Sequence, residues 1–163
     1  MKTLVCSAVS AFVLAGCASE GGDELPGSYA TLHTLVEAVL DELAEGDTAG
    51  LARLRVTRDE YEALLWDELP ESEEIPFAFS WDLNQANSRK ALKTILGRYG
   101  GERFVLVNIN FTKRTERYQT FTLYRGARLR VRRGRGNVLG ELPILDVVLE
   151  RKGRWKLVNY EEP

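Results

Sequence analysis

The spacing of apolar residues changes once along this chain, at Gly100-Gly101, and that change limits what it can fold into. Before it, apolar residues recur every three or four positions, the period of a helix with one buried stripe. After it, they alternate or cluster between turn residues, the pattern of strands. Helices first and a run of strands second define an α+β class, with the helices packed on one face of an antiparallel sheet.

Local signals place the elements. Tyr29, Leu32, Leu35, Val36, Val39, Leu40 and Leu43 form one stripe, with Ser28 as the expected N-cap and Gly46 as the stop. Asp47 or Thr48 caps a short second helix carrying Leu51 and Leu54. Thr57 and Glu60 have capping-box spacing and open a third helix, which Pro70 ends. Residues 71–76 read as an acidic loop. Phe77, Phe79 and Trp81 form an aromatic patch ahead of a fourth helix over 82–99, capped by Asp82. About five strands follow: one from Phe104, a second over 118–124, a third over 127–133, and a final hairpin around Lys152-Gly153. Arg125-Gly126 is expected to be the tight connection between the second and third strands.

The N-terminus carries a different kind of information. Lys2 precedes an apolar run from Leu4 to Leu14, about half the ~20 residues that span a bilayer. Leu14-Ala15-Gly16-Cys17 follows, and these four residues resemble the lipobox of bacterial lipoproteins. The resemblance implies cleavage of residues 1–16, lipidation of Cys17, and a short acidic tether to residue 27. A single domain then occupies 28–163. It also implies a bacterial envelope protein held to the membrane by its lipid. The absence of Asp after the cysteine favours the outer membrane, facing the periplasm. The other cysteine, Cys6, leaves with the leader, so the domain has no thiol and relies on packing.

A second resemblance rests on three places: Glu45-Gly46-Asp47 after the first helix, the short helix with Leu51 and Leu54, and the last strand Gly153-Arg154-Trp155-Lys156-Leu157. Together they are similar to the nuclear-transport-factor-2-like superfamily over about residues 28–161. That resemblance implies a curved sheet wrapped on a long helix as a cone, often with a pocket inside.

Charge is unevenly distributed. Residues 17–75 hold sixteen acidic and three basic side chains, and residues 76–163 hold eight acidic and eighteen basic. The two halves either complement each other across the fold or mark a binding surface. A formal net charge of −2 argues against a nucleic-acid partner.

Few residues suggest chemistry. If the cone holds a pocket, His33 on the edge of the first stripe is a candidate base. Asn108 and Asn110, which share a face with Phe104 and Leu106, are candidate lining residues. Asp146 alternates with Ile144 and Val148. Inward it is a buried carboxylate with a raised pKa, and outward a solvated strand residue. Glu71, Glu73 and Glu74 lack the spacing of a calcium loop, so neither a metal nor a cofactor is expected. Arg128, Arg130 and Arg132 fall on one face of one strand, about 7 Å apart. Guanidinium forks so spaced suit carboxylates or phosphates, unless Glu116, Glu141 and Glu150 pair with them.

No nucleophile motif accompanies the single histidine. The expectation is therefore a tethered, non-enzymatic domain that binds a ligand or an envelope protein. A small enzyme working inside the cone, and an assembly factor acting through the arginine strand, are the alternatives.

Overall fold

Residues 25–134 and 138–163 are described by a computed structural model. The leader, Cys17, most of the tether and Arg135 lie outside the described residues.

Helix α1 spans Leu32–Glu45 and starts later than its stripe suggests. Thr31 is the N-cap, because its hydroxyl accepts from Thr34 N at 3.1 Å while Thr34 Oγ1 accepts from Thr31 N at 3.3 Å. Ser28 is unavailable for that role. The neighbouring Tyr29 backbone exchanges two 2.8 Å hydrogen bonds with Trp155, which holds the segment extended. Gly46, at φ 70°, ends α1 in the left-handed region that suits a residue without a side chain.

Asp47 caps α2, Thr48–Arg53, and Thr57 with Glu60 forms the expected capping box of α3, Arg58–Leu64. Two short 3-10 turns, Trp66–Glu68 and Pro70–Glu73, replace the expected end of α3 and the acidic loop. Helix α4 runs over Phe77–Tyr99, with Pro76 and not Asp82 as its N-cap. The Pro76 carbonyl accepts from Phe79 N and Ser80 N, so the aromatic patch forms the first turns of the helix. Phe77 and Trp81 pack there against Tyr61 and Trp66, with ring centroids 5.6 to 6.3 Å apart.

The strands are β1 Phe104–Phe111, β2 Glu116–Arg117, β3 Thr122–Arg133, β4 Val138–Arg151 and β5 Arg154–Tyr160. All pair antiparallel in the order β1-β3-β4-β5, with β2 beside β1 on the same edge of β3. Residues 127–133 are thus not a strand of their own. Gly126, at φ 65°, lies inside β3, which continues where a turn was expected and shifts register against β4 between Ala127 and Leu129. The tight turn instead lies at Tyr118, whose N–H donates to Phe121 O at 2.9 Å.

Helices cover both faces of this sheet, contrary to the one-sided packing expected. Leu35, Val36, Val39 and Leu43 of α1 meet Leu129, Val131, Ile144, Val148 and Leu157 on one face. Tyr61, Leu65, Trp66 and Trp81 meet Leu123, Val147, Leu149 and Val158 on the other. Helix α4 belongs to both: Trp81 lies in the second cluster and Leu92 and Ile95 in the first. It passes the β5 side of the sheet, where Ser88 is fully buried and its hydroxyl donates to Asn159.

The β5 edge is closed. Beyond the Tyr29 pair, Val56 N donates to Leu157 O at 2.7 Å and Leu157 N to Leu54 O at 3.2 Å. The β1 edge has no strand beyond it among the described residues.

Candidate functional site

Only part of the second sheet face is roofed. Helices α3 and α4 cover its Leu123–Leu149 end, and Arg130 and Arg132 at the other end are exposed. Alternation in β3 is clean here: Ala127, Leu129 and Val131 point to the core, and the three arginines point out.

The three arginines are not equivalent. Arg128 is half-buried, donates to Glu161 Oε2 at 2.7 Å, and lies 3.9 Å from Glu141. Arg130 and Arg132 are exposed and make no ion pair among the described residues. In register, Arg132 stands between Val105 of β1 and Leu139 of β4. Val105 is 65% exposed and Leu139 49%, and Val107 bulges outward nearby at 45%. Arg132 therefore sits among aliphatic side chains that the fold leaves in water, while Arg130 stands between Asn108 of β1 and Glu141 of β4 without an ion pair among the described residues. The other expected pairings are divided. Arg125 meets Glu116 at 2.9 Å, and Glu150 accepts from Gly153 N at 2.7 Å.

The residues proposed for a cone pocket do not converge. His33 is exposed, with Nε2 3.2 Å from Glu37 Oε1, a helix-surface pair one turn apart. Asn108 and Asn110 leave the face of Phe104 and Leu106, because a bulge at Val107 reverses the alternation of β1. They stand opposite Arg130 and Arg128, and Asn108 Nδ2 donates to Asn110 Oδ1 at 3.2 Å. The space they were expected to line, between α1 and the sheet, is filled by aliphatic side chains. The tyrosine within it, Tyr160, donates its hydroxyl to Leu51 O at 2.7 Å.

Asp146 takes neither expected orientation. Register shifts on both sides of Val147 break the alternation of β4, so Ile144, Leu145, Val147, Val148 and Leu149 are all buried. Asp146 is left half-buried at the margin and accepts from Lys113 Nζ at 3.1 Å. That hydrogen bond, outweighing partial burial, pushes the Lys113 ammonium up and keeps it charged.

A cleft of about 190 Å³ opens beside Asp146, between α3, α4 and the roofed end of the sheet. Tyr61, Asn84, Arg125 and Asn159 reach it over a floor that includes Leu123, Val147 and Val158. Its sequence signal is the stretch 82–90 of α4, where Leu83 and Ala86 are the only apolar residues. A helix lying on a sheet with so little apolar surface is held there by polar groups.

No described helix is long and apolar enough to cross a membrane. No protein-family model, no curated protein and no solved structure matches the chain.

Proposed function

We propose that this chain is a lipid-anchored lipoprotein of the bacterial envelope, attached through Cys17 to the outer membrane and facing the periplasm. Its domain binds an acidic protein partner with the exposed outer face of β1, β3 and β4. The carrying observation is the pair Arg130 and Arg132, exposed and without an ion pair among the described residues, with the exposed Val105 and Leu139 on either side of Arg132. Aliphatic contact area surrounding guanidinium donors is the composition of a partner surface, and arginine is the cation enriched in such surfaces. Binding on this face is favoured over an enzyme inside a cone because polar groups do not gather between α1 and the sheet.

Geometry supports the same reading. The described chain begins at Leu25, packed near the β4–β5 turn, whereas Leu139 lies at the other end of β4. Twelve residues of strand separate Leu139 from Arg151, about 40 Å. A tether leaving from the Leu25 end presents the arginine end away from the membrane that holds it. We also place the domain among nuclear-transport-factor-2-like folds, supported by α1 laid across the sheet and by Trp155 packing beside Tyr124 at 5.2 Å.

The experiment is a crosslinking pull-down from envelope preparations with the wild-type chain and with Arg130→Glu/Arg132→Glu. A partner lost on charge reversal, with an unchanged thermal transition, supports the proposal. A partner profile indifferent to the reversal removes it. Separately, Cys17→Ala is expected to release the protein from the membrane fraction, and continued lipid labelling of that variant overturns the anchor assignment.

A further inference from the structure

The cleft under α4 is built from hydrogen-bond donors whose orientation the surrounding network fixes. Arg55 is 5% exposed and has no carboxylate partner among the described residues. Its Nε donates to Val158 O at 3.0 Å, and its terminal nitrogens donate to Gln85 Oε1 at 3.1 Å and to Asn84 Oδ1. A guanidinium has no acceptor, so Asn84 must give it the carbonyl oxygen. The amide nitrogen of Asn84 is then the end left for the cleft. In the structure Asn159 Oδ1 accepts from the buried Ser88 hydroxyl, and its Nδ2 is the end left as a donor.

Arg125 adds a third donor. It stands opposite Val147, which in turn stands opposite Asn159, so one cross-strand row delivers Arg125 and Asn159 to the same face. Arg125 Nε lies 2.9 Å from Glu116 Oε1, yet the N–H is not aimed at it and this buried donor has no hydrogen-bond partner. A buried unpaired donor destabilises the fold, and a ligand oxygen that accepts from it removes that cost. Burial pushes the Tyr61 phenol up, so it too remains protonated at neutral pH.

The cleft also has acceptors. Asp146 is engaged with Lys113, and Glu71 lines the space from the Pro70–Glu73 turn. Its volume of about 190 Å³ falls below the ~300–1,000 Å³ of drug-sized pockets.

We infer that this cleft binds a small carboxylate that also carries a hydroxyl or ammonium group. The Asn84 and Asn159 amides and the Arg125 guanidinium take the carboxylate oxygens, and Glu71 and Asp146 accept from the second group. The apolar floor of Leu123, Val147 and Val158 excludes water beneath the ligand. The site lies on the side of the sheet opposite α1 and does not depend on any protein partner. Its test therefore stands apart from the docking proposal.

The test is a titration followed by amide NMR, using D-glucuronate and L-serine as acids and D-glucose and L-serinamide as matched neutral-headed probes. Both acids, at millimolar concentration, are expected to shift the side-chain amides of Asn84 and Asn159 and the backbone of Val147. The matched probes are expected to leave these signals in place. Arg125→Gln should weaken the acids at least about tenfold, the loss of one charge-assisted contact. Asn87→Asp, on the exposed rim, should weaken both acids and spare D-glucose without touching the core. Equal shifts with acid and neutral probes overturn the inference, as does the absence of shifts with both acids. Unchanged affinity in a folded Arg125→Gln protein also overturns it.

Discussion

Lys156 Nζ lies 2.7 Å from Glu60 Oε1, and both side chains are buried. This pair ties β5 to the first turn of α3, and the same ammonium donates to Pro26 O at 2.6 Å. Glu60 simultaneously accepts from Thr57 N at 2.6 Å, so one carboxylate closes the capping box and holds the sheet.

Removing one partner strands the other in a dry site. Lys156→Met is expected to lower the unfolding free energy by about 3–5 kcal/mol, measured by urea denaturation. Adding Glu60→Gln to that variant should cost far less than the sum of the two single changes, because no buried charge is left. Additive losses would show that the pair does not act as a unit.

Gly126→Ala is expected to destabilise by more than about 1 kcal/mol. At φ 65° an added Cβ would come within 2.8 Å of Lys113 Cγ and 2.9 Å of Thr112 Oγ1. The thermal midpoint reports it, and an unchanged midpoint would mean that β3 does not need a glycine there.

The outer arginines should separate by stability. Arg130→Ala and Arg132→Ala remove exposed, unpaired cations and are expected to stay within about 0.5 kcal/mol of wild type. Arg128→Ala breaks the half-buried contact with Glu161 and should cost more than either. Equal effects at all three would contradict the asymmetry seen in the fold.

Acid should weaken the β3–C-terminus contact. Burial pushes the Glu161 carboxyl up, but the Arg128 hydrogen bond and the Lys113 cation outweigh it and hold the group below its ordinary 4.5. A carboxyl depressed by folding adds stability that is complete above its unfolded pKa, and this is lost as pH falls through the folded value. Stability should therefore decline below about pH 4.5, and Glu161→Gln should flatten that part of the profile. An identical acid limb in the variant would assign the decline to other depressed carboxylates, such as Glu68.

What the sequence disclosed and what it hid follow the reach of each signal. The Thr57–Glu60 box, the Gly46 stop and the Lys152-Gly153 hairpin depend on residues three or four apart, and all are present as read. The start of α1 was misread because Tyr29 is held by Trp155, a partner more than a hundred residues away. The outward face of Asn108 and Asn110 and the partial burial of Asp146 are not legible for one reason: strand alternation assumes unbroken register, and bulges at Val107 and around Val147 break it. The outward arginines were legible because β3 from Ala127 onward keeps its parity. The cleft was not legible. Asn84 looks like part of a solvent face until its contact with the buried Arg55 shows what it rests on.

The closed β5 edge has a consequence for how copies of this domain can associate. Strand-by-strand growth needs an open template on both sides of each molecule. Among the described residues Tyr29, Leu54 and Val56 occupy one side, and the β1 edge remains. Two molecules that met through β1 would use up each other's free edge, and the ribbon would end at a pair. The sheet is thereby protected from strand-by-strand growth into fibres by the segments that cover its β5 edge.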